Sequence, residues 1–301
     1  MFLSVFSGTG QDDFIPEKQI RLIALANPMG GGEWMLTTQR GVVKDYTAQD
    51  VIEMIADLKP TCLERFITGY HDSDRLVPVR KGCPEMTVLE FLNASMAAGG
   101  PGCRIVPKLN LKWLFSEKGY ALFWESAQKL YDMPLVNPIR EINLDVWNEY
   151  CARTTPEERS LMFQRLRDIG YTRIGVNMTG LKNVNDPNID YADFCISKED
   201  WTVREIAVKK IRSYENIKEI YLYIDYPRPM AYFMDMTPDM QASLYYNEIY
   251  PSQFKYGITY VYAVLQDSWD ATRIVTSKDG PYKGKSMYDI TKELLNKPHE
   301  D

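Results

Sequence analysis

The sequence predicts an α/β chain folded as a single (β/α)8 barrel of the TIM type, with a reduced fifth helix, and three observations carry that expectation. Short apolar or alternating runs suited to strands recur along the 301 residues, and amphipathic segments with helix start and stop signals separate most of them. Parallel strands need such crossovers, so the alternation argues for a parallel sheet. The runs reach eight, the number that closes a barrel, and a chain of this length commonly forms one such unit. A doubly wound sheet is the rival. It would show fewer strands and a phosphate-binding turn after the first, whereas Gly30-Gly31-Gly32 has neither GxGxxG spacing nor a Walker lysine.

In order, residues 1–20 read as an N-terminal extension and 21–301 as the barrel. Arg21 to Asn27 is an apolar strand ended by Pro28 and the triple glycine. Thr47-Ala-Gln-Asp50 resembles a capping box and opens a helix to Leu58, stopped by Pro60. Cys62 to Thr68 is the second strand, and Thr87-Val-Leu-Glu90 caps a helix through Met96. Arg104 to Asn110 is the third, although Pro107 lacks a ladder donor, and its helix runs from Glu117 to Tyr131. The fourth lies within Ile139 to Tyr150. A period of two puts Glu141, Asn143 and Asp145 on one polar inner face and Ile142, Leu144 and Val146 on the other.

Thr155-Pro-Glu-Glu158 starts the next helix, with Pro at the first helical position, and Gly170 ends it. Thr172 to Thr179 is the fifth strand, and the short link to Tyr191 leaves little room for a fifth helix. Tyr191 to Ser197, Glu219 to Asp225 and Ile258 to Gln266 complete the eight strands. Helices capped at Thr202, Thr237 and Ser286 accompany them.

Composition narrows the function. The apolar share of 45% and charged share of 25% suit a folded chain, and no apolar run is long enough to span a membrane. A net charge of -6 argues against a nucleic-acid partner, which needs concentrated Lys and Arg. The five cysteines include no CxxC pair and only His71 and His299 stand beside them, so neither a metal nor another cofactor is expected. Cys62, Cys151 and Cys195 read as small buried hydrophobes, while Cys83 and Cys103 flank a helix in loop sequence, where a disulfide is the alternative to two thiols. The opening Met1 to Gly8 has no basic n-region, which leaves a cytoplasmic chain or one whose leader has been removed. Oligomeric state is not legible.

In a barrel the C-terminal strand ends and the loops after them surround one site. Those ends hold Asn27, Glu64, Lys108 with Asn110, Asn143 with Asp145, Asn177, Tyr223 with Asp225, and Gln266 with Asp267. Amides, hydroxyls and carboxylates with few cations suit a hydroxyl-rich ligand, and hence a carbohydrate substrate. Glycosidic cleavage needs one carboxylic acid to protonate the leaving oxygen and a second carboxylate as nucleophile or base, with no metal. Asp145 and Asp225 are the central catalytic candidates, with Glu149 and Glu64 next. The loop aromatics Trp34, Trp147 and Trp269 serve as sugar platforms or simply pack. The plain alternative for Asp145 is an ion pair with Lys108 or Arg65 inside the barrel.

The chain here resembles the (β/α)8-barrel glycoside hydrolases. Asn148-Glu149 after the fourth strand is similar to the Asn-Glu pair that carries the acid/base in one clan of retaining barrels, and Asp145-Val-Trp-Asn-Glu149 is similar to the strand-four nucleophile segment of the α-glucosidase and α-galactosidase type. The two resemblances select different residues. The first implies a glutamate on the seventh strand, where Asp225 stands, and the shorter side chain would suit an inverting mechanism. The second implies an acid on the sixth strand, with Asp193 near the strand start or Asp200 after it.

Two other classes compete. One is a Schiff-base aldolase or lyase using Lys198 or Lys108, although an acidic setting would hold such a lysine charged. The other is a carbohydrate-binding barrel without catalysis. His71, in Gly69-Tyr-His-Asp-Ser-Asp74, reads as a surface histidine with a general base as the alternative, and no GxSxG or Cys-His signature is present.

Overall fold

In the computed structural model, residues 20–23, 47–59, 62–66, 71–178, 184–196, 201–217, 219–225, 260–264, 283–285, 289 and 292 are described. At 20–23, 64–66, 194–196, 201–205, 207, 222–225 and 260–264 the description is of backbone alone.

Parallel pairing joins β1 (Ile20–Ile23), β2 (Cys62–Phe66), β5 (Arg104–Asn110), β6 (Glu141–Asp145), β7 (Arg173–Asn177), β8 (Tyr191–Ile196), β9 (Glu219–Asp225) and β10 (Tyr260–Val264). Each pairs with the next in this order, and β1 pairs with both β2 and β10, so the strand ladder closes on itself. The closing ladder between β1 and β2 is short, Leu22 with Leu63 and Ile23 with Glu64. The α/β class and the curled parallel sheet follow the alternating pattern of the sequence. The first strand begins at Ile20, one residue inside the expected extension. Pro107 lies within β5 opposite Arg65, and the strand runs on to Asn110 despite the missing donor.

Helices α1 (Ala48–Leu58), α2 (Val88–Gly99), α3 (Glu117–Asp132), α5 (Pro156–Ile169) and α6 (Trp201–Arg212) cover the sheet. Three begin with the boxes read from sequence. The side chains of Thr47, Thr87 and Thr155 accept from the backbone N–H of Asp50, Glu90 and Glu158, whose carboxylates accept in return from the cap N–H. The apolar faces of these helices and the outward-facing Ile142, Leu144, Ile174 and Val176 form one core cluster. Between β7 and β8 the described residues 184–190 hold a turn and no helix, as the short link suggested.

Three features went unread in the sequence. A two-stranded antiparallel ladder, β3 (Leu76–Val77) with β4 (Met86–Thr87), precedes α2. A 3-10 helix, Leu111–Phe115, follows β5 directly. The stretch from Ile139 to Tyr150 is strand only through Asp145, then turns at Val146 into the short helix α4 (Trp147–Cys151). Val146 takes φ 58, a left-handed conformation that a β-branched residue rarely adopts.

Candidate functional site

The barrel interior is polar in layers, set by which residues of each strand face inward. Four strands open on charged residues, Arg104, Glu141, Arg173 and Glu219, and these meet at the N-terminal end. Glu141 accepts from Arg104 Nε at 2.8 Å and from Arg173 at 3.2 Å, while Arg173 also donates to Glu219 at 2.6 Å and to the Tyr221 hydroxyl. The Arg173 guanidinium lies 4.6 Å from the Tyr191 ring centre, and the Tyr191 and Tyr221 rings meet at 4.8 Å, tilted by 53°. Gly175 makes room for that ring, because a Cβ there would stand 2.0 Å from Tyr191 Cζ. The result is a filled floor.

One layer up, Lys108 Nζ donates to Asp193 Oδ2 at 3.0 Å, with the two side chains 2% and 0% exposed. Burial pushes the Asp193 carboxyl up, and the negative charge of Asp145 adds to this, while the Lys108 ammonium and the Asn177 amide pull it down. Asn143 is the ladder partner of Lys108 and is fully enclosed, and neither of its side-chain amide atoms has a hydrogen-bond partner among the described residues. Asn177 is the ladder partner of Asp193 and is also buried.

Asp145 tops this stack. It is the last residue of β6, partly exposed, and opposite Asn110 in the ladder. The alternation that put Glu141, Asn143 and Asp145 on one face therefore holds, but the three do different work: a floor ion pair, an enclosed amide and a carboxylate at the strand end. Of the two cations considered as partners for Asp145, Lys108 pairs with Asp193, and the Arg65 side chain lies outside the described residues.

Around Asp145 the rim is made of the 3-10 helix and α4. Asn110 Oδ1 accepts from the backbone N–H of Lys112 at 2.9 Å, so this side chain caps the turn. Phe115 lies between the Arg153 guanidinium at 3.6 Å and the Tyr150 ring at 5.6 Å. Glu149 is exposed on α4. Trp147 corrects the loop reading: it is fully buried in α4 against Phe163, and its indole N–H donates to the Val184 carbonyl at 2.8 Å. Its apolar ring is spent on the core.

Of the remaining site candidates, Glu64 lies in β2 opposite Val106, Tyr223 in β9 opposite Tyr262, and Asp225 ends β9 opposite Val264. Asn27, Trp34, Gln266, Asp267 and Trp269, with Lys198 and Asp200, fall outside the described residues. Cys83 and Cys103 are thiols and not a disulfide. Burial pushes the Cys151 thiol up to about 12, which removes it as a nucleophile at neutral pH. Among the described residues, no group of three His, Cys, Asp or Glu is placed to hold a metal ion, and no helix is long and apolar enough to cross a membrane.

Two residues stand out more in the structure than in the sequence. Asp193 was set aside for lying near the strand start, yet the alternation Tyr191, Asp193, Cys195 already marked one face of β8. Trp113 was hidden in a segment that reads as the approach to α3.

No protein-family model matches the chain, and no curated protein matches it. Among solved structures, it is similar to the PgaB (BpsB) glycoside hydrolase domain from Bordetella bronchiseptica, at 9% identity over 93% of this chain and 99% of that one, with a TM-score of 0.49. It is also similar to phospho-2-dehydro-3-deoxyheptonate aldolase from Thermotoga maritima, at 12% identity over 95% of this chain and 70% of that one, with a TM-score of 0.39. Neither likeness bears on what this chain does.

Proposed function

We propose that the chain is a complete (β/α)8 barrel and a glycoside hydrolase that cleaves an oligo- or polysaccharide with Asp145 and Asp225 as its pair of carboxylates. The observation that carries this reading is the contrast between Asp145 and the acids beneath it. Glu141 is committed to the partly exposed Arg104 and Arg173 and Asp193 to the buried Lys108, whereas Asp145 stands partly exposed at the C-terminal end of its strand, where barrel sites form. Asp225 ends β9 at the same end of the sheet and three strands away from β6. That separation suits acids on opposite sides of a glycosidic bond, one protonating the leaving oxygen and the other acting on carbon directly or through water. Glu149 and Glu64 are the next candidates. A Schiff-base reaction has less support, because the Lys108 ammonium is spent on an ion pair.

The test is reducing-sugar release from a polysaccharide panel by wild type, Asp145→Asn and Asp225→Asn. Each variant is expected to lose at least about a hundredfold in kcat, the scale on which removing an acid or base acts. Full activity in both variants rejects the pair. An inactive wild type that still binds saccharide favours a binding barrel.

A further inference from the structure

We propose that Trp113 is a saccharide-stacking residue on the rim, whose indole takes the C–H face of a pyranose ring beside Asp145; this rests on the carbohydrate reading above. Three tryptophan side chains are described, and two are consumed by packing. Trp147 is enclosed with its N–H bonded. Trp124 is buried, makes edge contacts with Phe123 and Tyr120, and carries the Arg165 guanidinium at 4.1 Å. Trp113 differs. It packs partly against the core and remains partly exposed, with no aromatic or cationic partner for its ring among the described residues. Its indole N–H makes no hydrogen bond there and is not one of the enclosed unpartnered polar atoms.

Its position is what turns a half-packed ring into a platform. The 3-10 helix that carries it starts at the residue after Asn110, and Asn110 is the ladder partner of Asp145. The turn is also firmly held. Asn110 caps its start, and the Trp113 carbonyl accepts from Ser116 N at 3.3 Å. The same carbonyl lies so close to α3 that a Cβ on Gly119 would stand 2.4 Å away. Phe115 is clamped by Arg153 and Tyr150. A stacking group on such a support is ordered before the ligand arrives, so binding loses little side-chain freedom. An indole face carries negative charge that attracts the C–H bonds of a sugar ring, and its N–H can donate to a hydroxyl.

The test uses cello-, xylo- and chito-hexaose as probes, with binding to the full chain read by calorimetry in an Asp145→Asn background and hydrolysis read in the wild-type background. Trp113→Ala is expected to weaken binding about tenfold and raise KM to match, with kcat nearly unchanged, the signature of lost uniform binding. Trp113→Phe keeps a ring and is expected to recover most of the affinity, which a merely structural role would not require. Equal binding by Trp113→Ala and its parent overturns the inference and leaves the hydrolase reading standing. If Asp145→Asn hydrolyses normally, the hydrolase reading falls while the binding data still decide Trp113. No binding of any probe by wild type or parent overturns both.

Discussion

The Lys108–Asp193 pair shows how much a single residue can hold when water is excluded. Both side chains are enclosed and 3.0 Å apart, so each charge depends on the other for what it lost in desolvation. Asp193→Asn leaves a buried ammonium with a neutral neighbour, and its stability in urea is expected to fall by about 3–5 kcal/mol. Asp193→Asn combined with Lys108→Met should recover part of that loss, because the double variant buries no uncompensated charge. A double variant as unstable as the sum of the two singles would show that packing, and not charge, sets the cost. At this scale the sequence was informative about side and poor about partner. Strand alternation placed Lys108, Asn143 and Asp145 in the interior, but a pair 85 positions apart could not be chosen over the nearer pairing of Lys108 with Asp145. Asp193 has no local signature beyond its alternation, so its worth becomes visible only when β5 and β8 face each other.

Elements were most legible where one chemical rule decides them. The capping boxes at Thr47, Thr87 and Thr155 were readable because cap and acid lie three residues apart. At α1 the box has a second anchor: Arg80, from the β3–β4 segment, donates to Asp50 at 2.6 Å and to Glu53 at 2.6 Å. Burial raises the Asp50 carboxyl, but hydrogen bonds from Thr47 and Arg80 outweigh it, and the net shift is downward from 3.8. A carboxylate lowered in the folded state stabilises above its unfolded value, and that contribution is lost as pH falls through the lower one. The stability gap between wild type and Asp50→Asn is therefore expected to be full at neutral pH and to narrow below the ordinary value of 3.8. A gap that persists unchanged into acid would exclude the carboxylate as its source. Thr47→Ala should lose about 1 kcal/mol in the same chemical melts. The turn at Val146 was illegible for the opposite reason. No valine prefers φ 58, so the surroundings of β6 and α4 impose it. The chain reverses there into a helix that buries Trp147, which is why an aromatic beside an acid looked like a loop platform and is core.

For the whole molecule, eight short strands suggested a ring, and the order of pairing follows chain order once the β3–β4 hairpin is set aside. The floor that joins β5, β6, β7 and β9 was not foreseen, because alternation put Glu141 on the inner face but could not say which cations from other strands meet it. Arg173 ties three of these strands, through Glu141, Glu219 and Tyr221. Arg173→Met removes this cation from Glu141 and Glu219, which are partly shielded from water, and stability is expected to fall by about 1–3 kcal/mol, read as a lowered melting temperature. An unchanged melting temperature would mean that the floor is decoration. The Lys292 side chain pairs with Asp57 of α1, so residues near the C-terminus return to the helix after the first strand.

The floor has a consequence for substitution. Arg173, Tyr191 and Tyr221 pack together at the N-terminal end, and Gly175 is pressed against the Tyr191 ring. A side chain at position 175 would displace the Tyr191 ring and with it the seat of the Arg173 guanidinium, so the smallest residue of the floor governs its ion pairs.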